Sequence, residues 1–209
     1  MTPKTLIHAI QTRLALLPLL LLTVLAAPAQ AASTPTTDLK TAVDAVLVVL
    51  ADKGMSEADK RSKIGAIVDA RFDYHAMSQR VLSSNNWRKA SKPEQDEFSE
   101  LFGQLLKNTY FKAISAYTDQ TVDFTGERIK GKKHNRASVN TEIVSADKRI
   151  PVEYAMRLKR DGWYVYDIKV EGISLVKSHQ STFLNVFKNE GMSGAIATLK
   201  EKVSAKAKG

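Results

Sequence analysis

Few side chains in this sequence are suited to acid–base or nucleophilic chemistry, and they are scattered. The four histidines are His8, His75, His134 and His179, and there is no cysteine. Thiol catalysis, thiolate metal sites and disulfides are therefore excluded. No phosphate-cradling Gly-rich loop, His-Glu-x-x-His, Gly-x-Ser-x-Gly or carboxylate cluster with metal spacing occurs. His134 sits in a basic run, Lys130 to Arg136, and reads as solvated. His75 falls at the start of a helix, and His179 on an apolar helical face where a boundary imidazole is expected rather than a base. No catalytic residue, metal or cofactor is expected.

The sequence is instead rich in apolar and aromatic side chains placed to share an interior. A long helical stretch carries Leu105, Leu106, Tyr110, Ile114 and Tyr117. Strand-like stretches carry Tyr154, Met156, Tyr166, Ile168 and Val170. Two arrangements satisfy this pattern: a filled core, or helix and sheet held apart around a lined cavity. Each methylene moved from water into such a cavity gains roughly 0.8 kcal/mol, so acyl chains would bind without polar recognition.

The elements that must position these residues follow from periodicity. Leu39, Val43, Val46, Leu47 and Leu50 recur at helical spacing, predicting a helix from near Asp38 that Lys53-Gly54 ends. Ser56 with Asp59 caps a second helix bearing Ile64, Ile67 and Val68. A third begins at Phe72-Asp73-Tyr74, and Ser84 to Trp87 reads as a loop. Ser91-Lys92-Pro93-Glu94 is a capping box that starts a helix reaching about Tyr117. Phe111 lies off its apolar stripe, which predicts burial of the C-terminal half on more than one side. After Asp119 the period changes to two. Val122 opens a strand that Gly126 interrupts or ends. Two more strands alternate through Ala137–Ile143 and Ile150–Leu158. Arg160-Asp161-Gly162 then makes a tight hairpin into Trp163–Val170. On that last strand Tyr164, Tyr166, Ile168 and Val170 are expected on one face. Helical spacing returns after Gly172 with Val176, His179, Phe183, Val186 and Phe187. Gly191 breaks it before a last helix with Ile196 and Leu199. Helices, then strands, then helices predict an α+β fold: a curved antiparallel sheet of about four strands packed with N- and C-terminal helices.

The N-terminus predicts an address. Lys4 and Arg13 precede an apolar run from Leu14 to Leu25, followed by Ala29-Gln30-Ala31, the A-x-A pattern of a cleaved export signal. The run is short of the ~20 residues a span requires. Residues 1–31 are thus expected to be removed, 32–37 to form a flexible leader, 38–204 a single domain and 205–209 a flexible tail. The whole chain carries net charge +9. Loss of Lys4 and Arg13 leaves 29 basic against 22 acidic side chains, a net +7. Such a balance favours anionic partners. For an exported protein these are anionic phospholipid surfaces, not nucleic acid.

Two blocks resemble a known family. One is Phe72-Asp73-Tyr74, Val81-Leu82, Asn86-Trp87-Arg88 and Ser91, with Glu94-Gln95, Phe98, Phe102, Leu105-Leu106 and Thr109-Tyr110. The other is Ile150-Pro151-Val152-Glu153-Tyr154 with the long run from Gly162 to Val176, then Phe183. Together they resemble the MlaC/toluene-tolerance family of periplasmic phospholipid-binding proteins. The resemblance implies a fold related to the NTF2-like folds, with acyl tails in an apolar pocket between sheet and helices. It also implies a monomeric periplasmic carrier, whose partners are an inner-membrane ABC transporter with a lipid-binding ring and an outer-membrane lipoprotein–porin complex. Ser178, His179 and Gln180 stand where family members often have Asn-Tyr-Arg. The pocket lining is assigned to Leu105, Tyr110, Ile114, Tyr117, Tyr154, Tyr166, Ile168 and Val170, with Phe183 and Phe187 at its mouth or floor. Asp167 and Glu171 are expected to pair with Arg or Lys at the end of the last strand. Two other readings remain open: a carrier of another apolar cargo such as a hopanoid or solvent, and an enzyme using Tyr166, Asp167 and His179.

Overall fold

The structure, a computed structural model, describes residues 33–116 and 120–207. Four helices precede the sheet: α1 (Pro35–Ala51), α2 (Glu57–Asp69), α3 (Tyr74–Trp87) and α4 (Lys92–Ser115). Strands β1 (Thr121–Lys130), β2 (Arg136–Val144), β3 (Arg149–Lys159), β4 (Gly162–Val170) and the two-residue β5 (Ile173–Ser174) follow, and α5 (Leu175–Ala207) closes the chain. The sheet is antiparallel and open, in the order β1-β2-β3-β4-β5. The α+β order expected from periodicity is the observed one, with one short strand more. The export signal lies outside the described residues.

Helix boundaries follow local chemistry. The capping box forms as expected: the Ser91 backbone N–H and hydroxyl both donate to Glu94, at 2.8 and 2.7 Å. Those two bonds hold the Glu94 carboxyl below its ordinary range. The first helix differs from expectation. Residues 33–37 are not a flexible leader, because the Thr34 hydroxyl accepts the Thr37 N–H and a proline opens the first turn. Thr36 adds two hydrogen bonds, through its N–H and hydroxyl, to Glu127 on β1. Ser84 to Trp87 is helical rather than a loop; the break comes one residue earlier, at Ser83 (φ 65°). Gly191 (φ 69°) breaks α5 as expected, but the helix runs on to Ala207 through the stretch expected to fray.

The sheet carries two irregularities that matter for the interior. Between Phe124 and Gly126 the β1–β2 register shifts, so the strand is interrupted at Gly126, as expected, and continues beyond it to Lys130. Between Ala155 and Met156 it shifts again: Ala155 faces Asp167, Met156 faces Val165, and Tyr166 has no partner on β3. Such a bulge re-aims the strand that carries the extra residue. The expected single face of Tyr164, Tyr166, Ile168 and Val170 therefore breaks. Ile168 pairs with Tyr154 and Val170 with Val152, while beyond the bulge Val165 and Trp163, not Tyr166 and Tyr164, are buried.

The packed core lies among α3, α4, α5 and the sheet. Phe98, Phe102 and Phe183 are fully buried, and Phe183 meets the other two edge-on at 5.5 and 6.2 Å between ring centroids. A second, smaller cluster of Val49, Ile64 and Phe111 joins α1, α2 and α4. One long-range bond fastens α1 to the β3–β4 hairpin. The buried carboxylate of Asp38 accepts the Trp163 backbone N–H at 2.7 Å. Gly162 (φ 135°) permits this approach, since a Cβ there would lie 2.8 Å from the Asp38 oxygen.

Candidate functional site

A cavity of about 760 Å³ opens between α2, α4 and the sheet. Its apolar wall has three sources. From α4 come Leu106, Tyr110, Phe111 and Ile114; from α2, Ile64 and Val68; from the sheet, Ile143, Val152, Tyr154, Ile168 and Val170. Phe72, Tyr74, Met77 and Leu175 complete it. The α4 set explains the off-stripe position of Phe111. Its ring belongs to the α1–α2–α4 cluster, while Leu105 and Phe102 of the same helix face the core. One helix thus serves a packed core on one side and a cavity on another.

Polar side chains at the edge of this cavity come from α2 and α4. Lys107 donates to both oxygens of Asp69, at 2.7 and 2.6 Å, and the Tyr74 hydroxyl donates to Asp69 at 2.8 Å. Burial, reinforced by Asp69, drives the Tyr74 phenol above its ordinary pKa and keeps it a neutral donor. The Tyr74 ring rests on the α4 backbone at Gly103, where an added Cβ would come within 3.0 Å of ring carbons. Arg61 lies over the Phe111 ring at 4.4 Å and donates to the Asn108 side chain at 3.2 Å. It has no carboxylate partner among the described residues.

Of the residues expected to line the pocket, Tyr110, Ile114, Tyr154, Ile168 and Val170 do line this cavity. Leu105 and Phe183 are buried in the packed core, Phe187 is half-buried against the same core, and none of the three lines the cavity. Tyr166 belongs to a separate, polar depression. Tyr117 lies outside the described residues. Sequence reasoning missed the α2 contribution and Phe72, Tyr74 and Met77. The apolar face of α2 was visible in Ile64, Ile67 and Val68, but nothing in the pattern told a cavity wall from a core contact.

The Tyr166, Asp167 and His179 set is not assembled as a catalytic group. Asp167 is buried, and both its oxygens accept the Ser174 hydroxyl, at 2.9 and 2.8 Å. Arg80 pairs with it at 3.4 Å, as expected for a carboxylate fixing that strand's end. His179 stands between Phe102 and Phe183, with its Nε2 buried and without a partner. Glu171 pairs with Lys148 at 3.6 Å. Among the described residues no helix is long and apolar enough to cross a membrane, and no cluster of metal-ligating side chains occurs.

Fold and cavity together define an α+β protein whose open antiparallel sheet and helices enclose a preformed apolar cavity. The family model for MlaC protein matches residues 40–201, and the chain belongs to that family. A relative in Haemophilus influenzae, the intermembrane phospholipid transport system binding protein MlaC, is 21% identical over 60% of this chain and 59% of its own length. The toluene tolerance protein ttg2D of Pseudomonas putida is 27% identical over 61% of this chain and 57% of its own. The chain thus spans somewhat under three fifths of the length of these relatives. In fold it is similar to a phospholipid-binding protein from Ralstonia solanacearum solved in complex with a phospholipid. The TM-score is 0.74 at 24% identity, over 84% of this chain and 99% of the other.

Proposed function

We propose that this protein is a phospholipid carrier of the periplasm that holds acyl chains in the cavity between α2, α4 and the sheet. The observation that carries the reading is the cavity itself. At about 760 Å³ it has the size of a ligand site rather than a packing defect. With a methylene taken as roughly the ~30 Å³ share of a water molecule, there is room for about 25 methylenes. Burial of even half of them is strongly favourable at roughly 0.8 kcal/mol each. The names of the Haemophilus relative and the Ralstonia neighbour support a phospholipid as the cargo.

In this reading lipid moves between the outer and inner membranes. The partners are an outer-membrane lipoprotein–porin complex and the lipid-binding ring of an inner-membrane ABC transporter. The protein acts as a monomer, without cofactor or catalysis, because the transfer makes and breaks no covalent bond. Arg61, at the edge of the cavity and without a carboxylate partner among the described residues, would meet a phosphate head group.

Organic extraction of the purified protein followed by mass spectrometry tests the reading. Diacyl phospholipid in near-stoichiometric amount is expected. A protein free of lipid that also takes up none from vesicles overturns the proposal, and a hopanoid or other apolar molecule in its place reassigns the cargo.

A further inference from the structure

A second depression, of about 350 Å³, shares no residue with the apolar cavity. Helix α3 serves both: it gives Tyr74 and Met77 to the cavity, and Ala76, Gln79, Arg80 and Ser84 to the depression. Facing them are Arg136 on β2, Arg157 on β3 and Tyr166 at the bulge of β4. The depression is therefore lined by three guanidiniums and no carboxylate.

The charges around it do not balance. Asp167 takes Arg80 at 3.4 Å, and Asp73 takes both the Arg157 Nε and the Lys159 ammonium at 3.4 Å. Two buried carboxylates thus face four cations once Arg136 is counted. Arg136 has no ion pair among the described residues. It is held instead by the Tyr166 ring, with its guanidinium carbon 5.9 Å from the ring centroid. The Arg80 guanidinium lies 5.2 Å from the same centroid. One ring thus brings together two cations that repel each other, at the point where the β4 bulge leaves Tyr166 without a strand partner.

The Arg80 Nε–H has no acceptor among the described residues, and the Arg80 side chain is 38% exposed. Arg80 gives one N–H to Asp167 at 3.4 Å, and a guanidinium carries five. An oxyanion in the depression would accept from Arg80, neutralise Arg136 and relieve their repulsion. Planar guanidiniums donate to phosphate through paired N–H groups, which a lysine cannot copy.

We propose that this depression is a second ligand site, specific for a phosphate group, supplied by a phospholipid head group or by free phosphate. The site is independent of the cavity's contents, so its failure leaves the carrier reading standing.

Calorimetric titration with inorganic phosphate and with glycerol 3-phosphate, at constant ionic strength, tests this on the wild type, Arg136→Gln and Arg136→Lys. Arg136 is exposed, so both variants should fold, and the lipid held in the cavity should be unchanged. Saturable binding by the wild type is expected, weakened about tenfold or more by Arg136→Gln. Arg136→Lys should restore it only in part. Competition by vesicles containing phosphatidylglycerol assigns the head group; its absence assigns free phosphate. No saturable binding, equal binding of sodium chloride, or binding that survives Arg136→Gln overturns the proposal.

Discussion

Lys107 on α4 and Asp69 at the end of α2 meet with Nζ 2.6 Å from Oδ2, tying together two helices that wall the apolar cavity. The Tyr74 hydroxyl donates to the same carboxylate, so Asp69 also binds the start of α3. The small α1–α2–α4 cluster is the main apolar seam beside this latch. Asp69→Ala should therefore act on α2 more than on the global fold. The pair is partly exposed and screened, and its loss should cost about 1 kcal/mol or less in chemical denaturation. Lipid transfer to acceptor vesicles should become severalfold faster, and raising the salt concentration should move the wild type in the same direction. An unchanged transfer rate would show that α2 does not gate the cavity.

Two positions on α4 should separate cavity from core. Ile114 lines the cavity, and Leu105 is buried in the packed core. Ile114→Trp fills open volume, so lipid occupancy measured by mass spectrometry should fall while stability changes little. Leu105→Trp overpacks a filled site and should cost about 1–3 kcal/mol. Equal destabilisation by both would count against the cavity wall.

His179 should impose a pH dependence on stability. Burial, with a smaller contribution from the nearby charge of Lys202, lowers its pKa below the ordinary value of 6.5. The unfolded chain therefore binds this proton more readily than the folded one. The stability held by the neutral imidazole is complete above the unfolded value. It is lost as pH falls below 6.5 and through the lower folded value. His179→Phe keeps an aromatic ring against Phe102 and Phe183 and removes the unpartnered nitrogen. Thermal melts of the variant should show a shallower decline on the acid side than wild type. Parallel acid limbs would mean that another group governs that decline.

Much of the fold was legible in the sequence because its signals are local. The Ser91–Glu94 box, the Asp-Gly hairpin before Trp163, the breaks near Gly54 and Gly191, and the change of period after Asp119 each depend on residues a few positions apart. Errors arose where a local pattern was overruled by distant partners. Residues 33–37 look like a polar leader, yet Glu127 on β1 holds Thr36 in the first turn of α1. The alternation in β4 looks unbroken, yet a register shift against β3 puts Tyr166 in the polar depression and leaves Ile168 and Val170 on the cavity wall.

The sequence by itself determined the α+β order, the absence of thiol chemistry, the family resemblance and the apolar character of α4 and the sheet. Composition and periodicity record which side chains avoid water, and those properties belong to each residue and its near neighbours. Only the tertiary structure decided that Ile114, Tyr110, Tyr154, Ile168 and Val170 surround open space while Leu105 and Phe183 fill a core. An apolar side chain gains from leaving water in either setting. Whether another side chain or a ligand fills the space beside it depends on the separation of helix from sheet, which long-range contacts such as Asp38 with Trp163 and Asp69 with Lys107 set.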